Sequence, residues 1–82
     1  MKIEMKFSDV PIFTKFKWRC GDYVKIPKLE CLRNVTIGSY KTETKKFTFN
    51  AYELDINYVE IGEDETVTIE YNSIDELKKI LG

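Results

Sequence analysis

Few residues in this 82-residue chain offer chemistry, and histidine is absent altogether. Without an imidazole base, a serine or cysteine nucleophile lacks its usual activating partner. Cys20 lies at a glycine-centred turn near Arg19 and Lys25, cations of the kind that lower a thiol pKa. No base or orienting group stands beside it, so it reads better as a thiol tucked under the turn. Glu63-Asp64-Glu65 supplies carboxylates, but not in the alternating D-x-[DN]-x-[DN]-G spacing of a calcium loop. A solvated hairpin turn is the expectation there. Cys20 and Cys31 are too few to ligate zinc and are expected as reduced thiols, at least one buried; a disulfide is the alternative. Four scattered glycines build no phosphate cradle. No catalytic residue, metal ligand or cofactor is assigned, and the chain is expected not to be an enzyme.

Binding is the better-supported chemistry. Lys15, Lys17, Arg19 and Lys25 are expected on one face of a hairpin, with Lys41, Lys45 and Lys46 as a second basic group. An RNA or single-strand platform would need aromatics beside those bases. Alternation sends Phe16 and Trp18 to the opposite face, which favours a protein contact, although Tyr23, Tyr40 and Tyr52 remain candidates for exposure. Residues 1–46 carry 11 Lys/Arg against 5 Asp/Glu, whereas residues 47–82 carry 2 against 9. An acidic neighbour is therefore expected over the basic face, either the chain's own second half or a partner.

Strands must position these residues. Ile3, Met5 and Phe7 alternate with charges, as do Phe16 and Trp18, then Val24 and Ile26. Setting Trp18 opposite Val24 and Phe16 opposite Ile26 leaves a three-residue loop, Cys20-Gly21-Asp22, with Gly21 free to take a positive φ. Lys17 then opposes Lys25, a mildly unfavourable pair. Leu29, Cys31, Val35 and Ile37 suggest a strand interrupted near Arg33-Asn34, followed by a turn or longer loop from Gly38 to Lys46. Further strands carry Phe47, Phe49 and Ala51, then Val59 and Ile61, then Val67, Ile69 and Tyr71. "SIDELKKILG" predicts a helix over about 74–81, with Ser73 and Glu76 as a capping box and Ile74, Leu77, Ile80 and Leu81 as one apolar stripe.

The length allows one domain, 1–82. No apolar run is long enough to span a membrane, and "MKIEMKFSD" has no apolar leader core, so an intracellular, cytoplasmic location is expected. The class is mainly β (α+β): five to seven short antiparallel strands in a partly open barrel that the terminal helix closes.

"MKFSDVPIFTKFKW", "YVKI", "NAYEL" and "VEIGEDETVTI" resemble small single-domain β proteins of bacteriophage and prophage genomes. Those begin with a phrase like F-x-D-[LV]-P-x-G-T-x-F. Phe7, Pro11, Phe16, Tyr23, Asn50 and Ala51 match, across about half of the chain. The resemblance implies an SH3-like barrel and a viral protein that inhibits or modulates a host protein or ribonucleoprotein complex in the host cytoplasm. Anti-CRISPR and other anti-defence inhibitors are the concrete form. A nucleic-acid-binding barrel is the alternative. Two departures stand out: Phe13 replaces a glycine, and the segment from Lys28 to Lys46 is longer than usual. The candidate partner-binding residues are thus Phe13, Lys15, Lys17, Arg19, Lys25, Lys41, Lys45 and Lys46.

Overall fold

Which residues turn the chain after Trp18 decides where every later side chain points. In the computed structural model, which describes residues 1–39 and 41–82, that turn is two residues long. Arg19 and Cys20 both take positive φ (47° and 63°), the geometry that joins two right-twisted strands most directly. Strand β2 (Lys15–Trp18) therefore pairs with β3 (Gly21–Ile37) as Trp18↔Gly21, Lys17↔Asp22, Phe16↔Tyr23 and Lys15↔Val24. The expected three-residue loop is overturned, and so is the Lys17–Lys25 opposition. Gly21 has a different reason for being glycine: a Cβ there would stand 2.8 Å from a ring carbon of Tyr23.

This register builds a row of aromatic rings. Phe16 meets Phe7 edge-on at 5.5 Å and stacks on Tyr23 at 5.7 Å, while Trp18 meets Tyr23 edge-on at 5.6 Å. Such pairs add about 0.5–1.5 kcal/mol each beyond the area they bury. Tyr23 thus belongs to the core, where alternation had placed Val24 and Ile26. Phe7, Val10, Phe16, Tyr23, Ala51, Ile61, Val67 and Ile69 are buried, and Ile3, Met5, Trp18, Val59 and Ile80 pack against them.

The remaining strands are β1 (Lys2–Lys6), β4 (Lys41–Glu53), β5 (Asn57–Val59) and β6 (Thr66–Glu70). They form one antiparallel sheet in the order β1-β6-β2-β3-β4-β5, with β2 and β6 meeting at Lys17↔Thr68. The fold is mostly antiparallel sheet with one short C-terminal helix, but among the described residues no ladder joins β1 to β5. The expected barrel closure is absent. Residues 60–65 are not a hairpin turn either: they carry the chain from the edge strand β5 to β6, between β1 and β2. Their backbone carbonyls at Glu63 and Glu65 accept from Ser8 and Phe7, pinning the short 3-10 segment Phe7–Asp9. Where the β4–β5 ladder ends at Ala51↔Val59, Asn50 extends it with its side chain. The amide donates to the Ile61 carbonyl at 2.7 Å and accepts from the Ile61 N–H at 2.8 Å.

Strand length explains the open sheet. β3 runs for 17 residues and β4 for 13, paired without interruption from Leu29↔Phe49 to Ile37↔Lys41. Arg33-Asn34 does not break the strand, and of the turn or longer loop expected from Gly38 to Lys46 the turn at Gly38-Ser39 is found, with strand from Lys41 onward. A bulge between Lys25 and Leu29 marks where the hairpin leaves the rest. Beyond it, nine residues at about 3.3 Å each carry a two-stranded arm roughly 30 Å outward. The molecule measures 57 × 23 × 22 Å, and its radius of gyration of 16.1 Å exceeds the ~12 Å of a compact chain this long. Tyr40, a candidate for exposure, lies outside the described residues.

Helix α1 (Ile74–Leu81) begins as expected, with Ser73 Oγ accepting from the Glu76 N–H at 3.1 Å. Glu76 returns its carboxylate to the Asn72 N–H instead of to Ser73. Ile80 reaches the core, but Ile74 and Leu81 are exposed, so the helix leans on the sheet without sealing it.

Tyr23 donates from its hydroxyl to Glu53 Oε2 at 3.0 Å. Burial first, then this hydrogen bond and the Glu53 charge, push the phenol above its ordinary value, while Arg19 works weakly the other way. A raised phenol pKa stabilises the fold fully below the unfolded value of about 10 and loses that contribution as pH rises through the folded value. Tyr23→Phe is expected to cost about 1 kcal/mol at neutral pH through the lost hydrogen bond. Urea denaturation of both proteins at stepped alkaline pH checks the linkage: wild type must lose stability faster than Tyr23→Phe above pH ~10.

Candidate partner-binding surface

The hairpin register disperses the basic residues that sequence spacing groups together. Lys25 opposes buried Ala51, on the core side. Its ammonium lies 4.6 Å from the Phe7 ring centre and donates to the Phe7 carbonyl at 2.9 Å. It caps one end of the aromatic row and does not face a partner with Lys15 and Lys17. Arg19 caps the other end, its guanidinium 4.5 Å above the Trp18 ring and 3.9 Å from Glu65. Lys17 meets Glu70 at 3.4 Å. Lys15 and Lys17 line an open cleft of about 570 Å³ with Lys2, Asp22 and Glu70. Two of the hairpin cations are therefore already neutralised by the chain's own acidic half.

The second basic group sits on the arm, divided by strand alternation. Lys41 and Lys45, opposite Ile37 and Arg33, share one face; Lys46, opposite Leu32, is on the other and meets Glu30 at 3.1 Å. Arg33, absent from the sequence-based candidates, joins Lys45 directly across the ribbon. Cys31 is half-buried opposite Phe47 and Cys20 is exposed; both thiols are free, so neither is the buried one expected. Among the described residues no group of three or more histidine, cysteine, aspartate or glutamate side chains could hold a metal ion. No helix among them is long and apolar enough to cross a membrane.

Alternation also lays an apolar stripe along the arm. Leu29 and Phe49, Cys31 and Phe47, then Val35 and Ile37 lie on the face shared with Arg33 and Lys45. In a folded body these positions would be covered, yet Leu29, Ile37 and Phe47 are exposed. Tyr58 extends the patch towards the body, its ring 6.0 Å from Phe49 and 5.2 Å from Tyr52. Sequence alternation registered these residues as a strand, but nothing in it says that the opposing layer is missing.

Phe13 stands where the arm leaves the body. Its N–H donates to the Lys25 carbonyl, and Thr14 N–H donates back to Pro11 across a four-residue turn. Phe13 is third in that turn with φ 67°, where a type II turn calls for glycine. The backbone has thus kept the glycine conformation while carrying a ring that is 73% exposed.

No family model, curated protein or solved structure matches this chain.

Left-handed backbone costs an L-residue about 1–2 kcal/mol, and glycine returns part of that through unfolded-state entropy. Phe13→Gly is accordingly expected to raise stability by about 0.5–1 kcal/mol, whereas Phe13→Ala, which keeps the strain, gains nothing. Urea midpoints of the three proteins decide it; a destabilised glycine variant would mean that the exposed ring supports the fold.

Proposed function

We propose that this chain is a non-enzymatic binding protein that inhibits or modulates a larger protein or ribonucleoprotein complex, in the manner of small phage-encoded anti-defence proteins such as anti-CRISPR inhibitors. The observation that carries the reading is the uncovered apolar stripe on the arm, Leu29, Ile37 and Phe47 above all. A ribbon of two strands gains little from folding alone, so an apolar face kept on one is best explained by an occupant. Phe13 and Tyr58 extend the contact to the arm's base, and Arg33, Lys41 and Lys45 rim the stripe with positive charge suited to an acidic or nucleic-acid-bearing partner. The phage origin and the SH3-like kinship rest on the sequence resemblance.

The test is plaquing of phage on bacteria whose CRISPR interference or other defence is active. Wild-type chain should restore plaques, and Leu29→Glu/Phe47→Glu, which changes exposed positions only, should abolish that while leaving the circular dichroism spectrum unchanged. Loss of plaquing on changing Lys15 and Lys17 but not the stripe would move the surface to the hairpin cleft.

A second reading has its own support: a two-stranded ribbon fits a major groove, and Arg33, Lys45 and Lys41 follow one another along one face. Three phosphate contacts would weaken duplex binding about 40-fold between 50 and 200 mM salt. Fluorescence anisotropy with a labelled duplex checks this, and no binding at low salt removes the reading.

A further inference from the structure

The arm has a bare edge as well as a bare face. Over Lys41–Phe49 β4 pairs with β3 on one side, while on its other side β5 covers only Ala51–Glu53. Backbone donors and acceptors of every second residue along this stretch of β4 consequently point outward. Unpaired edges are usually blunted by proline, a bulge or charged side chains, lysine above all; this one carries Lys41, Lys45 and Lys46, but with a carboxylate among them that can pair with a lysine of another copy. It contains no proline, the register shift lies at Lys25/Leu29 in β3, and Glu43 is interleaved with Lys41 and Lys45.

We propose that this edge pairs antiparallel with the same edge of a second copy, about a two-fold axis through Thr44, making a four-stranded β3-β4-β4-β3 ribbon. Charge and the length of strand left to pair select the register. A two-fold axis normal to the sheet keeps each face on its own side, so opposed residues must both be odd or both even. With Thr44 on the axis, Glu43 faces the partner's Lys45, Lys45 faces the partner's Glu43, and Lys41 faces the partner's Phe47. Unlike charges directly opposed stabilise a pair of strands, and threonine against threonine is also favourable. Centring on 43, 45 or 46 would put Glu43, Lys45 or Lys46 against its own copy, and centring on Thr42, which also opposes Glu43 to Lys41, would pair only residues 41–43 of each β4. Centring on Phe47 would bring Glu43 to Ala51, where β5 already occupies the edge. Pairing raises the marginal two-stranded arm to four strands and satisfies its outward backbone groups. It also sets the apolar stripes of the two copies side by side in one sheet.

Disulfide trapping reads the register. In a Cys20→Ser/Cys31→Ser background, Thr44→Cys residues on the axis would have Cα atoms about 4.5–5.5 Å apart, within disulfide reach. Thr42→Cys residues would be separated by four positions, about 13 Å. Mild oxidation at micromolar concentration should give a covalent dimer from the first and not the second. Light scattering should find two 9.7 kDa chains in wild type. Glu43→Lys should weaken association about tenfold or more, and Glu43→Lys/Lys45→Glu should restore it. A monomeric wild type, equal trapping at both positions, or a charge swap as weak as the single variant would overturn the proposal. Trapping and light scattering read association alone, and plaquing of the Leu29→Glu/Phe47→Glu variant reads the stripe, so failure here leaves the reading of the apolar stripe standing, and failure of plaquing leaves this one standing.

Discussion

Everything else in the molecule hangs on the row of rings Phe7, Phe16, Tyr23 and Trp18, closed at its ends by Lys25 over Phe7 and Arg19 over Trp18. For Phe16 to stack on Tyr23, β2 and β3 must pair in one register, and only a two-residue turn at Arg19-Cys20 delivers it. That turn holds two non-glycine residues at positive φ, at some cost in backbone strain. The glycine next to it could not be spared for the turn, because Gly21 is the position from which a Cβ would strike the Tyr23 ring. Ring packing therefore outweighs turn preference. The same choice sends Lys25 inward and leaves Lys15 and Lys17 outside, so the electrostatics of the hairpin follow from an aromatic contact.

A core built this locally changes what the rest of the chain must do. The eight buried residues all come from the body, and β3 and β4 contribute only Tyr23 and Ala51 to it. The arm beyond the bulge adds nothing to that core and is held by its ladder, by Thr44 bonded to Asn34, and by Lys46 paired with Glu30. Charge follows the same division. Arm residues 28–48 carry five cations against two carboxylates, whereas the carboxylates at Glu65 and Glu70 stay in the body and meet Arg19 and Lys17. The lopsided charge of the sequence thus becomes a division of the fold, with a net +3 along the arm and −4 on the rest of the chain.

Strand identity was legible because period-two alternation is a local property: Ile3 and Met5, Phe16 and Trp18, and Val67 and Ile69 all face the core side as read. The helix was legible from Ser73 and Glu76, since a cap is decided within four residues. What escaped is pairing at a distance. Alternation cannot distinguish Leu29 and Phe47 beneath a covering layer from the same residues on a free ribbon, and it led to a barrel where the chain builds an arm. Gly21 misled for a related reason: glycine signals a turn in sequence, yet here it answers to a ring two residues away. Of the candidate site, Phe13 and the arm lysines occupy exposed positions, while Lys25 became part of the core's edge and Arg33 was missed because its neighbour Lys45 is twelve residues away in sequence.

Phe13 completes the contrast between strain that folding explains and strain that it does not. Arg19 and Cys20 take left-handed backbone, and the aromatic row they align repays it. Phe13 takes the same conformation, fixed by hydrogen bonds linking its turn to Lys25, but those bonds involve backbone atoms alone and glycine would make them equally well. Its ring, largely exposed, gives nothing back to the core. A bulky side chain thus stands at a glycine position beside the root of an uncovered apolar arm, and packing within the described chain does not account for it. The two features share a place as well as a puzzle, for the turn that presents Phe13 is bonded to the last residue of β3 before the bulge.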